Sequence, residues 1–273
     1  MPTNMTLAML REHLHGDVDE HLLHYVAANA HKVLYISLEQ LCERAGITMA
    51  EAVNFFRAFD TNSFVAFKYI LRKCLYYEVT DRGIAKRSLT SLSDESIRFS
   101  LQNLLQFSSN IAYDQIEQVA HEIQNAPEVD LLCAGPTQPL CVALGYQLKQ
   151  MRIRSHIYLA NASEEIETLS TDNLIIVFGF LRYNIRLLTQ VKLLRQRGYR
   201  IVCITDSPDS PFVPLSDYSF VLATDSFDFL DSYISGMTFI HALFLALGIQ
   251  QEEKLFSRMH AWDITTQETN MFW

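Results

Sequence analysis

Along the first eighty positions the apolar residues recur every three or four places, the spacing that gathers them on one face of a helix. Leu22, Leu23, Val26 and Ala30 form one such face, Leu38, Leu41 and Cys42 a second, and Ala52, Val53, Phe56 and Phe59 a third. Each is preceded by a short polar side chain with Glu or Gln three residues later: Asp17 with Glu20, Ser37 with Gln40, and Thr48 with Glu51. At that spacing the two residues satisfy each other's backbone N–H at a helix start, so three helices are expected to begin there. The link Ala45-Gly46-Ile47-Thr48 has a glycine suited to a left-handed cap and a threonine to open the next helix, which is the layout of a helix-turn-helix. A fourth helix over residues 63–77, carrying Phe64, Phe67, Ile70, Leu71 and Cys74, closes the unit. Its cations Lys68, Arg72 and Lys73 are expected either to ride a DNA backbone or simply to solvate the helix.

Residues 78–92 are polar and contain Asp81-Arg-Gly83, and a linker is placed there, with the first domain at 1–80 and the linker proper at 81–92. Two helical stretches, 94–107 and 113–125, follow. The pattern then changes to short apolar runs separated by amphipathic segments, which predicts strands at 129–134, 156–160, 174–180, 200–205 and 218–222. Four of these are apolar almost throughout, as strands covered on both faces by helices must be. The expected fold class is therefore α + α/β: an N-terminal all-α helix-turn-helix domain, then a doubly wound five-stranded parallel sheet over 93–250. An apolar helix is expected at 228–247, and residues 250–273 read as a helical tail.

Composition adds limits. The 273 residues suit two domains, and 49% apolar with 19% charged residues suits packed cores. The longest apolar runs, 174–181 and 242–249, fall far short of the ~18–20 residues of a membrane helix, and the polar start lacks a signal-peptide stretch. A cytoplasmic protein without a membrane partner is expected. Five scattered cysteines (Cys42, Cys74, Cys133, Cys141, Cys203) with no CxxC predict reduced, mostly buried thiols. The net charge of −9 is uneven: residues 1–87 hold 10 Lys+Arg and 10 Asp+Glu, leaving 12 against 21 for the rest. The acidic second part would be repelled by phosphates, so any DNA reader is N-terminal.

The reading helix would run over 49–59, with Met49, Ala50, Glu51, Asn54, Phe55, Arg57 and Ala58 facing outward. Of these, Asn54 can pair with adenine and Arg57 with guanine or phosphate, while Glu51 is read as the reciprocal cap of Thr48. The candidate DNA-contacting set is Thr48, Met49, Ala50, Asn54 and Arg57. In open α/β sheets ligands bind beyond the carboxyl ends of the strands, where helix starts offer amides to anions. The loops there are Ala134-Gly-Pro-Thr-Gln138, Gly179-Phe-Leu-Arg-Tyr-Asn184 and Thr205-Asp-Ser-Pro-Asp-Ser-Pro211. Neither GxGxxG nor GxxxxGK[ST] is among them, so no nucleotide cofactor is expected. Gly135, Thr137, Gln138, Gly179, Arg182, Tyr183 and Asn184 are the candidate ligand residues, a set able to hold a small phosphorylated or polyhydroxylated molecule. The plain alternative for Arg182 is a surface arginine paired with a neighbouring acid. No catalytic or metal-binding set emerges: His21 and His24 lack a third ligand, His241 is placed in the core or an interface, and Glu164, Glu165 and Glu167 suit a solvated helix start.

Two stretches, His21-Leu-Leu-His-Tyr-Val-Ala-Ala-Asn29 and Ile36-Ser-Leu-Glu-Gln-Leu-Cys-Glu-Arg-Ala-Gly-Ile-Thr48, resemble the entry to the reading helix of RpiR-type bacterial transcriptional regulators. Further on, Arg182-Tyr183, Arg197-Gly-Tyr-Arg-Ile-Val-Cys-Ile-Thr-Asp-Ser-Pro-Asp-Ser-Pro211 and Asp228-Phe-Leu-Asp-Ser232 are similar to a subgroup of them. These regulators join a helix-turn-helix to a sugar-isomerase (SIS) domain of flavodoxin-like strand order. The resemblance implies a homodimer or tetramer, binding to a double-stranded DNA operator, and control by a phosphosugar or sugar acid. This chain departs from the family at two places. Glu51 and Asn54 stand where Thr and Arg are common, and Gly135-Pro-Thr137 and Gly179-Phe-Leu-Arg182 replace Ser-rich phosphate cradles. The rival readings are a degenerate SIS scaffold that has lost both activities and a SIS-type sugar-phosphate isomerase.

Overall fold

Capping side chains set where the N-terminal helices begin. In a computed structural model the chain is described over residues 2–34, 36–81, 89–160, 166–226 and 231–251, and at 257, 260, 264 and 268. The first part holds α1 (Pro2–Glu12), α2 (Glu20–Ala28), the short α3 (Ala30–Val33), α4 (Leu38–Ala45), α5 (Met49–Arg57) and α6 (Phe64–Asp81). Two of the three expected capping boxes form in full, at Ser37 with Gln40 and at Thr48 with Glu51. Gly46 supplies the left-handed turn between α4 and α5 at φ +69°. The box expected at Asp17 does not form. His15 donates its backbone N–H to Ala58 O (2.8 Å), which holds the connecting segment against the end of α5, and Asp19 becomes the cap instead by accepting from Leu22 N (3.0 Å).

Helix α5 is also turned slightly from the expected orientation. Phe55 (2% exposed) and Ala58 face inward, while Val53 is only half-buried. The reason is aromatic packing: Phe55 lies 5.2 Å from Phe59 and 5.3 Å from Phe67, and a phenyl ring gains more from burial than a valine does. Phe56 and Phe64 complete the same cluster, closed by Leu10 of α1, a helix the sequence reading did not include.

The second part runs α7 (Leu89–Asn110), α8 (Tyr113–Asn125), β1 (Val129–Cys133), α9 (Gln138–Gln150), β2 (Ser155–Leu159), β3 (Leu174–Gly179), α10 (Ile185–Gln196), β4 (Arg200–Thr205), β5 (Tyr218–Val221) and α11 (Ile234–Gln250). The strands are parallel in the order β2-β1-β3-β4-β5. Side chains alternate between two layers. Leu174, Ile176 and Phe178 of β3 meet α8, α9 and α11, whereas Ile175 and Val177 meet α10. Strand β2 is half-exposed because it is an edge.

The helices flanking the expected linker are longer than their polarity suggested, since α6 reaches Asp81 and α7 starts at Leu89; residues 82–88 lie outside the described residues. Helix α11 starts at Ile234, not 228, and 227–230 lie outside the described residues, as do Glu164, Glu165 and most of the expected tail. His241 is exposed on α11, because the buried face of that helix is carried by Phe239, Ile240 and Leu243. All five cysteines are buried and unpaired, and burial pushes the Cys74 thiol up to about 12. Among the described residues no helix is long and apolar enough to cross a membrane.

Candidate functional site

Strands β1 and β3 are neighbours, yet the chain leaves them for helices on opposite faces of the sheet, so a crevice opens at their carboxyl ends. It is a cleft of about 200 Å³ lined by Gly135, Thr137, Gly179, Arg182 and Asn184 of the expected set, together with Leu181 and Asp231. Their roles differ. The Thr137 hydroxyl bonds Phe178 O (3.1 Å), tying the β1 loop to β3. Asn184 Oδ1 caps α10 by accepting from Arg186 N (2.9 Å) and Leu187 N (3.1 Å). Gly179 is required by contact: a Cβ there would lie 2.3 Å from Cε2 of the buried Phe212 ring.

Arg182 is exposed at the lip in a left-handed conformation, φ +70°, which costs a non-glycine residue ~1–2 kcal/mol. Buried Asp206 holds that bend from both sides, accepting from Leu181 N (3.0 Å) and from the Tyr183 hydroxyl (2.9 Å). Two expected ligand residues therefore fall outside the cleft lining. Tyr183 is turned inward to Asp206, and Gln138 is exposed at the start of α9. Burial pushes the Tyr183 phenol up, and the Asp206 charge adds to that.

The larger surprise lies at the loop after β4. Lys68, expected in solvent or on DNA, is 1% exposed, because the loop after β4 covers it. Its ammonium donates to Ile36 O (2.7 Å), Ser207 Oγ (2.6 Å) and Asp209 Oδ2 (2.8 Å), so its three protons meet three acceptors. The Phe64 ring lies 4.4 Å below it. The other Asp209 oxygen accepts from Leu38 N (3.1 Å) at the start of α4. One turn further along α6, Arg72 donates to Thr224 O (2.9 Å) and Asp231 Oδ1 (2.8 Å) and stands 3.6 Å from Asp206 Oδ2. The N-terminal unit is thus fastened to the carboxyl edge of the sheet through two cations. Burial pushes the carboxyls of Asp206 and Asp231 up, and in both Arg72 opposes this; Arg182 also pulls Asp231 down. Burial pushes the Lys68 ammonium down, against the pull of Asp209. The sequence reading found the 205–211 loop but not this role, since no local pattern links residues some 140 positions apart.

Thr48, Met49, Ala50, Asn54 and Arg57 are all exposed on the turn and α5. Thr48 and Glu51 are engaged with each other, Thr48 N donating to Glu51 Oε2 (2.7 Å), and these bonds hold the Glu51 carboxyl below its ordinary range. Arg57 donates to Asn54 Oδ1 (3.2 Å), which leaves the pair on one outward face. This unit thus carries a charged docking seam on α6 and at the start of α4, and exposed polar side chains on α5.

Residues 122–246 match the SIS domain family. An uncharacterized HTH-type transcriptional regulator of Clostridium perfringens is 23% identical over 212 residues, covering 72% of this chain and 73% of that one. Among solved structures, the sugar isomerase domain of an RpiR transcription factor from Sphaerobacter thermophilus aligns at TM-score 0.60 and 20% identity, over 63% of this chain and 98% of its own. The Vibrio vulnificus NanR protein, solved with ManNAc-6P, aligns at TM-score 0.66 and 16% identity over 96% of this chain and 98% of its own, so both parts of the fold are shared.

Proposed function

We propose that this protein is an RpiR-type regulator and not an enzyme, that it reads a double-stranded DNA operator with α5, and that it senses a small phosphosugar or sugar acid in the cleft between β1 and β3. The observation that carries this reading is the cleft-lip arginine, Arg182, strained and buttressed by Asp206, in the same chain as a capped α5 that exposes Asn54 and Arg57. A phosphate at the lip would meet the guanidinium in a charge-assisted bond, and hydroxyls of the sugar would meet Asp231. The ManNAc-6P bound to Vibrio NanR, of the same fold, supports that ligand class. A homodimer or tetramer supports operator reading, because one helix-turn-helix covers one half-site. Met237, Leu245 and Ile249 leave an apolar face of α11 exposed for such pairing.

The ligand half is tested by melting curves in a panel of phosphosugars and sugar acids. At 100 times its dissociation constant a ligand raises stability by about 2.7 kcal/mol. Arg182→Ala is expected to remove the shift while the protein still folds, since the residue is exposed. A variant that still responds fully, or a panel without any response, sinks the anion sensor. The DNA half is tested by selecting bound fragments with the pure protein. The selected sequences are expected to be two-fold symmetric. Asn54→Ala should relax one position in each half-site, whereas Arg57→Ala should weaken all sequences and flatten the salt slope by about one unit. Equal losses on selected and random DNA for both variants count against the assignment. Absence of any enriched sequence at low salt favours the degenerate scaffold instead.

A further inference from the structure

We propose that Lys68 and Arg72 form a releasable dock between the reading unit and the cleft, and that an anion bound at Arg182 loosens it by acting on Asp231. The inference rests on the cleft being an anion site. Asp231 belongs to both places: it lines the cleft, and its Oδ1 accepts from Arg72 at 2.8 Å. Asp231 lines the cleft, whereas Arg72 is not among the cleft-lining residues. A phosphate there repels the Asp231 carboxylate and so weakens the anchor that holds Arg72. Asp206 extends the link, since it supports the Leu181–Tyr183 bend and faces Arg72 as well. Beyond it, Asp209 and Ser207 on the same loop hold Lys68, and Asp209 holds the N-terminal end of α4. The dock is built from charges and hydrogen bonds, the interactions most sensitive to an added charge. α6 carries both cations one turn apart, so a shift at Arg72 is transmitted along a rigid element to Lys68 and α4.

Hydrogen exchange on the full-length protein reads the dock directly, because the Leu38 N–H is protected only while it donates to Asp209. The probes are N-acetylmannosamine 6-phosphate and inorganic phosphate, each first scored by melting temperature. A probe that raises the melting temperature is expected to speed exchange at residues 36–40 about tenfold while β1 and β3 stay protected. Asp209→Asn, which lies outside the cleft, is expected to speed the same exchange without a probe. Because coupling is reciprocal, it should also tighten the probe's affinity by a similar factor. Arg72→Ala serves as a second release variant should Asp209→Asn fold poorly. If a probe stabilises the protein but leaves exchange at 36–40 unchanged, or slows it, the cleft reading stands and the dock coupling is overturned. If neither probe shifts the melting curve, the cleft reading fails for these anions and the coupling falls with it.

Discussion

Lys68→Ala is expected to lower folding stability by about 3 kcal/mol, the lower end of the ~3–5 kcal/mol seen when one partner of a buried pair is removed. The lower end applies because the Asp209 side chain keeps 20% of its exposure and recovers some hydration, whereas Lys68 keeps 2%. Ser207 and Ile36 O lose their donor in the same step. Urea denaturation of the variant beside wild type measures this, and a loss under about 1 kcal/mol would mean that the pair behaves as a surface ion pair. In the intact pair burial outweighs Asp209 and pushes the ammonium below its ordinary 10.5. The unfolded chain therefore holds the Lys68 proton to higher pH than the folded one. Wild type should gain stability relative to Lys68→Ala as pH rises through the alkaline window below 10.5.

Gly179→Ala is expected to cost about 3 kcal/mol for a different reason. The added Cβ would stand 2.3 Å and 2.4 Å from two carbons of the Phe212 ring, which is fully buried. Overpacking of this kind costs ~1–3 kcal/mol, and a buried ring at such a separation belongs at the upper end. At ~2–4 °C per kcal/mol for a chain of this size class, the melting temperature should fall by roughly 6–12 °C. Trimming the ring in the double variant Gly179→Ala, Phe212→Leu should recover part of the loss. If the single variant melts like wild type, or the double variant is simply additive, the ring is not what excludes a side chain at this position.

The sheet was legible because its signal is local and strong. Continuous apolar runs flanked by polar turns marked the five strands to within one residue at each end, and Arg200–Thr205 matched at both. Ser37 and Thr48 were legible for the same reason, since a capping box is contained in four residues. Where two aspartates competed for one helix start, Asp17 and Asp19, the outcome depended on a backbone bond from His15 to Ala58, which no four-residue window contains. α1 went unread because it opens without a capping box. At the cleft, loop chemistry pointed to Arg182, but Tyr183 was assigned to the ligand because its phenol is polar; its partner, Asp206, is 23 residues away. Lys68 and Arg72 were misread most completely. A lysine between apolar positions on a helix looks solvated until the opposite surface is known, and here that surface is a second domain.

The seam has a consequence for modularity. Helix α6 and the 206–231 region carry matched halves of one lock, with Lys68 and Arg72 on one side and Asp206, Asp209 and Asp231 on the other. A fragment cut away from α6 would bear three carboxylates at its sheet edge stripped of both cations, and its affinity for anions would not be that of the whole chain. A chimera that grafts another N-terminal unit onto this sheet would lack the same cations unless the graft brings a lysine and an arginine one turn apart. The two halves can be exchanged between proteins only as a set.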